Sequence, residues 1–136
     1  VTPPALELQV LIVQTLKADA AVMVLVNGVY DSIPTDPWGA KLAYVSLGPS
    51  DVIVDDADCI DGEIHSVQLD CWSRKPGMPE CKRIAHAVKA ALHNRDLELT
   101  DNAFVECQLE NVRYLRDPDG ETNHAAMQFS FTVEAL

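Results

Sequence analysis

The sequence predicts an α+β fold: a mostly antiparallel β-sheet with a long amphipathic helix and an N-terminal helix packed on one face. Two segments carry apolar residues at helical spacing, Ala5-Leu8-Ile12-Leu16 and Cys81-Ile84-Ala85-Val88-Leu92. Two long strand-like segments close the chain around the turn Asp117-Pro118-Asp119-Gly120. Helices and strands come in runs rather than in strict alternation, which favours segregated layers over a parallel sheet. A length of 136 residues, 48% of them hydrophobic, suits one domain spanning 1–136 with a real core.

The elements follow in order. Thr2 before Pro3-Pro4 reads as a helix start, a hydroxyl cap followed by prolines where no amide donor is needed. Lys17 then sits in the last turn, where a cation suits the helix dipole. Asp19 is placed to cap a second, short helix through about Val26, ended by Asn27-Gly28. Val29 to Ile33 is a short strand, and Pro34 to Lys41 a loop marked by Pro34, Pro37 and Gly39. Leu42 to Leu47 and Val52 to Val54 are strands broken at Gly48-Pro49, and the acidic stretch Asp55 to Gly62 is a loop. Glu63 to Ser73 resumes as a strand with Val67, Leu69 and Cys71 on one face.

The clearest helix runs from about Pro79 to His93, its apolar stripe opposed by Lys82, His86, Lys89 and His93. Phe104 to Arg116 and Ala125 to Glu134 complete the sheet, the last with Ala125, Met127, Phe129, Phe131 and Val133 pointing one way. In the strand before it, Val105, Cys107 and Leu109 share a parity that Val112 and Tyr114 reverse; a bulge near Glu110-Asn111 restores register. Ile84, Val88 and Leu92 should pack on a sheet face that includes Phe129 and Phe131.

Charge narrows the function classes. The formal net charge of −11 argues against sequence-independent DNA binding, which needs clustered Lys and Arg facing phosphates. Its distribution is uneven. Leu42 to Ser73 holds seven acids and no Lys or Arg; Arg74 to Arg95 holds six bases and one acid, Glu80. No apolar run approaches the ~18 residues of a membrane span. The start, VTPPALEL, lacks the basic segment and apolar core of a secretory signal and reads as a cytoplasmic product that has lost only its Met.

None of Cys59, Cys71, Cys81 and Cys107 forms a CxxC or a neighbouring Cys/His pair, so reduced core cysteines are expected. An EF-hand loop starting at Asp56 would put Ile60 fifth, Asp61 sixth and Val67 twelfth, where an acid or amide, Gly and Glu are needed. The acidic stretch is therefore a solvated loop, and Asp117 to Glu121 a hairpin turn. His65, His86, His93 and His124 carry no HxxxH or HExxH spacing, and no nucleophile elbow, phosphate loop or dinucleotide fingerprint is present. No enzyme activity, catalytic residue, metal or cofactor is expected.

The segment EIHSVQLDCWSRKPGMPECKRIAHAVKAALHNRDL resembles the phage tail-completion family. A strand ends in a Trp-Ser pair, Trp72-Ser73; a short Gly-containing loop, Arg74 to Pro79, follows; then comes an amphipathic helix ending near Leu92-His93. The hairpin YLRDPDGETNHAAMQFSFTVE, the opening helix, VYDSIP and YVSLG fit the same family, so the resemblance spans nearly the whole chain. It implies a tail-terminator-like structural virion protein of long-tailed phages or gene transfer agents. Such subunits form a hexameric ring on the last ring of tail-tube protein, stop tube growth and offer a surface to head-completion or connector proteins, with assembly in the host cytoplasm. Genomic DNA would pass through without specific binding, and no membrane is involved. Another small neck protein or a tail-tube-like subunit are the competing roles; connector adaptors tend to be helical, and tube subunits usually carry a long inter-ring loop.

A ring of this kind sets expectations for particular residues. Lys82, Arg83 and Lys89 on the basic helix should meet Asp56 and Asp58 of the next subunit, with Trp72 and Trp38 as apolar anchors. Trp72 lies on the opposite face from Val67, Leu69 and Cys71, open to a neighbour; burial beneath its own helix is the alternative. Asp55, Asp56, Asp58 and Asp61 are the expected acidic lining of the channel, where phosphates must be repelled.

Overall fold

The computed structural model describes residues 2–57 and 60–136. The elements run α1 (Pro4–Ala18), α2 (Ala20–Met23), β1 (Val29–Tyr30), β2 (Ala43–Val54), β3 (Asp61–Ser73), α3 (Pro79–Leu92), β4 (Asn102–Arg116) and β5 (Asn123–Ala135). One five-stranded sheet has the order β1-β2-β3-β5-β4. Among the described residues, only the two-residue pairing of β1 with β2 is parallel; every other neighbour is antiparallel.

Alternation sorts the strands into two faces. Val67, Leu69 and Cys71 of β3, and Ala125, Met127, Phe129, Phe131 and Val133 of β5, share one buried face. Helices α1 and α3 lie over that face and contribute Leu8, Ile12 and Leu16, and Ile84, Val88 and Leu92, to the same core. The expected packing of the long helix over Phe129 and Phe131 is thus present. Cys71, Cys81 and Cys107 are buried free thiols of that core, while Cys59 lies outside the described residues.

Three irregularities interrupt the ladders, two in β4 and one in β2. A register shift between Leu109 and Asn111 leaves Glu110 unpaired, so Leu109 and Val112 both reach the helix side, at the bulge expected from the sequence. A second shift, between Phe104 and Glu106, overturns one expectation: it turns Phe104 to the core and leaves Val105 exposed, off the face it was expected to share with Cys107 and Leu109. The expected break at Gly48-Pro49 is also a bulge: β2 stays one strand because β3 continues to pair with it from Ser50 to Val54. Pro tolerates this position because its missing N–H falls where the ladder is already interrupted.

The first half departs from expectation in smaller ways. Thr2 does not cap α1; Pro3 is the N-cap residue, and the Thr2 amide instead donates to Asp101. Asp19 does cap α2, accepting from the Val22 amide at 3.1 Å, but α2 ends at Met23. The valine-rich run is poor helix material, and Val22 and Val26 are drawn into the core. The strand expected over Val29 to Ile33 is confined to Val29–Tyr30. At the chain's other turn, Gly120 takes φ +73, and the Asp119 carboxylate accepts from the Glu121 and Thr122 amides. The acidic loop is shorter than expected, because β3 starts at Asp61.

One long-range tie fixes α1 to the start of β4. The Glu7 carboxylate accepts from the backbone amides of Thr100, Asp101 and Asn102 and from the Asn102 side chain. Burial opposes its ionisation, but these donors outweigh that and hold the Glu7 carboxyl below the usual value.

Candidate functional site

Three surfaces carry the residues singled out in the sequence, and they stand apart. The first is the tip of the β2–β3 hairpin. Asp55 N donates to Gly62 O at 2.8 Å, and Ala57 and Ile60 bridge. Gly62 is required there, because a Cβ would collide with the Asp55 carbonyl. Asp51, Asp55, Asp56 and Asp61 are exposed; Asp58 lies outside the described residues. Apolar side chains accompany them on both faces: Val52 is 44% exposed, Ile53 59%, Val54 67% and Ile60 42%. Beyond Leu47, no strand among the described residues lies beside the outer edge of β2, since β1 reaches only Val45 and Ser46. The acids of the 42–73 segment do not form one patch. Asp70 is buried, and Glu63 bonds the buried His65 at 2.9 Å.

The second surface is a groove between α3 and β4, at the opposite edge of the sheet. Ala85, Leu109, Val112 and Tyr114 form its floor, and Lys82, His86 and Lys89 its basic rim. Its volume is about 340 Å³, room for several side chains, since one liquid water occupies ~30 Å³. Lys82 Nζ sits 5.1 Å from the Tyr114 ring centroid. None of the ion pairs among the described residues involves Lys82 or Lys89, whereas Lys75 and Arg83 share Glu80 at 3.8 and 3.3 Å. The edge of β4 is partly closed by the chain leaving α3: Asn94 N donates to Cys107 O, and His93 Nδ1 accepts from Leu109 N at 2.9 Å. His93 is therefore half-buried and engaged, not part of the exposed row with His86.

The third surface is an aromatic row on the helix-free face. Trp38 meets Tyr44 edge-on at 4.9 Å, Tyr44 stacks near Trp72 at 6.2 Å, and Trp72 stacks on His124 at 3.8 Å. Arg74 covers Trp38 at 4.1 Å, so this cation belongs to the row rather than to the basic helix. Trp72 Nε1 donates to Ser46 Oγ, and His124 Nε2 lies 2.6 Å from Asp70 Oδ1. Trp72 is not beneath its own helix; it is half-buried among its own chain's side chains. Trp72 and Asp61 end opposite tips of β3, ~36 Å apart at ~3.3 Å per residue, so the expected anchors and acids do not form one cluster. Nothing local in the chain announces the Asp70–His124–Trp72 grouping. Asp70 and Trp72 share a parity, but only the β3–β5 register, Trp72 opposite His124, brings the imidazole to them.

Chemically these surfaces suit contact. Burial pushes the Cys81 thiol up to about 11 and, with help from Glu106, Cys107 up to about 12; Cys71 moves in the same direction. These thiols are protonated and are not nucleophiles at neutral pH. No group of three or more His, Cys, Asp or Glu placed to hold a metal occurs among the described residues. No helix of the described residues is long and apolar enough to cross a membrane.

Fold and surfaces together describe a small α+β subunit with chemically unlike patches at the two edges of its sheet. A chain in the virion of a native gene transfer agent particle is similar over its full extent. It is 30% identical, with a TM-score of 0.87, covering 96% of this chain and 97% of that one. No curated protein sequence matches. The chain belongs to the family of tail completion protein gp17, whose model matches residues 10–134. It is a virion component with a structural role in the tail.

Proposed function

We propose that this chain forms a ring, hexameric as the family resemblance implies, that closes the head-proximal end of the tail tube and presents its other side to head-completion or connector proteins. It acts by contact alone, with no catalytic step and no cofactor. The observation that carries this reading is the pair of unlike edges: an acidic, apolar hairpin beside β2, and a basic, apolar groove beside β4. A closed ring above two subunits needs two different patches, each meeting the other on the next copy. The one domain expected over 1–136 is the repeating unit.

DNA crosses such a ring without specific binding, and a net charge of −11 keeps phosphates from sticking. Two roles compete for Asp55, Asp56, Asp58 and Asp61: lining the bore, or meeting the neighbour. The exposed Val52, Ile53, Val54 and Ile60 beside them favour the neighbour, because a bore wall in contact with water and DNA gains nothing from four exposed apolar side chains. The helix-free face suits the bore better. Its middle rows are Ser66, Gln68, Gln128, Ser130 and Thr132, polar and uncharged.

Negative-stain images of the purified protein, with sedimentation to count subunits, test this reading. Six-fold rings with an open centre are the expected result. Monomers at all concentrations, or open stacks that grow into tubes, would overturn it, the second outcome favouring a tube subunit.

A further inference from the structure

We propose that the groove between α3 and β4 is the socket for the β2–β3 hairpin of an adjacent copy of this chain. The inference rests on the ring reading above and names the contact that closes it. The socket has a floor of Ala85, Leu109, Val112 and Tyr114, with Lys82, His86 and Lys89 at its rim. The hairpin presents the complement: Val52, Ile53, Val54 and Ile60 exposed, flanked by Asp51, Asp55, Asp56 and Asp61. Apolar insertion supplies the affinity, while the acids and bases steer approach and penalise the wrong register.

Position in the fold selects a second copy as the occupant. β2 and β4 lie on opposite sides of the sheet, with β3 and β5 between them, so one chain cannot place its own hairpin in its own socket. A copy alongside can, and repeating the step leads round a ring rather than to a two-fold pair. The edges themselves agree. Among the described residues, β2 is without an outer strand from Leu47 to Val54, and the outer edge of β4 is closed only at Cys107 and Leu109, which leaves backbone near Asn111 to Arg116 for the incoming segment.

The test uses the full chain with a photo-crosslinking residue at position 53 in place of Ile53, irradiated after ring formation and mapped by mass spectrometry. Crosslinks between chains to 82–89 or 109–114 are expected. Rings that crosslink only elsewhere would overturn the socket and leave the ring reading intact; absence of rings from the wild type under all conditions would overturn both. A second measurement avoids dependence on one probe. K82E/K89E should weaken ring formation on the order of tenfold at ~0.15 M salt, the scale reached by a few exposed charge pairs. D55K/D56K should weaken it similarly, and the four changes in one chain should restore it. All four positions are exposed, so each monomer should melt like the wild type. Additive weakening in the combined variant, with no restoration, would show that these charges do not meet.

Discussion

Phe131 shows what one side chain contributes. It is fully buried on β5, between Cys107 of β4 and His65 of β3, and meets Phe104 and Phe129 at ring distances of 6.4 and 6.1 Å. Truncation leaves a cavity that a sheet cannot close, at ~3–5 kcal/mol, against a total of ~5–15 kcal/mol for a domain. Phe131→Ala should therefore give little soluble protein and, where recovered, a much lower melting temperature; wild-type melting would place Phe131 outside the core. The thiols offer a second residue-level check. In a Cys59→Ser background, Cys71, Cys81 and Cys107 should resist a thiol reagent in buffer and react fully in denaturant, since burial keeps them protonated and out of reach. Fast labelling of the folded protein would contradict their burial. These positions are legible in the sequence because strand and helix parity decides which residues face inward wherever no bulge intervenes; Val105, beside the shift at Phe104/Glu106, shares the parity of Cys107 and is nevertheless exposed. Trp72 was legible only in part: parity gave its face, but not the His124 and Tyr44 partners brought by strand register.

Between elements, the tie from Glu7 to the start of β4 is the clearest dependence. The carboxylate serves three consecutive amides at 100–102, so it replaces backbone partners that a strand beginning at the sheet edge lacks. A carboxyl whose folded pKa is depressed contributes stability above its unfolded pKa and loses it as pH falls through the folded value. Glu7→Gln should thus lower the melting temperature at neutral pH, and its difference from the wild type should shrink on acidification below about pH 4. A difference that stays constant from pH 7 to pH 3 would show that charge at Glu7 is irrelevant. This tie was not legible in the sequence, because nothing local marks a contact spanning more than ninety residues. The long helix and the final hairpin were legible because each repeats one period over many residues. The break expected at Gly48-Pro49 is a bulge for the converse reason: Gly and Pro signal interruption, but only the partner strand decides whether it is an end or a bulge.

For the whole molecule, charge and edges are the properties that matter. The net charge of −11 predicts that the purified protein fails to retard duplex DNA, with any Kd weaker than the ~10⁻⁴ M floor of ordinary non-specific binders at physiological salt. Tight, salt-sensitive retardation would contradict a bore that lets DNA slide. The opposition of an acidic and a basic segment was legible along the chain. Its resolution into a hairpin tip and a groove rim was not, since Asp70, Glu63, Arg74 and Arg83 each turn out to be engaged within the subunit. The claim that this protein ends the tail is tested most directly by adding it to polymerising tail-tube protein and measuring tube lengths and ends by electron microscopy. Shorter tubes that stop growing, each with one six-fold ring at one end, are expected. Tubes that reach the same length with bare ends, or that incorporate the protein along their length, would contradict it.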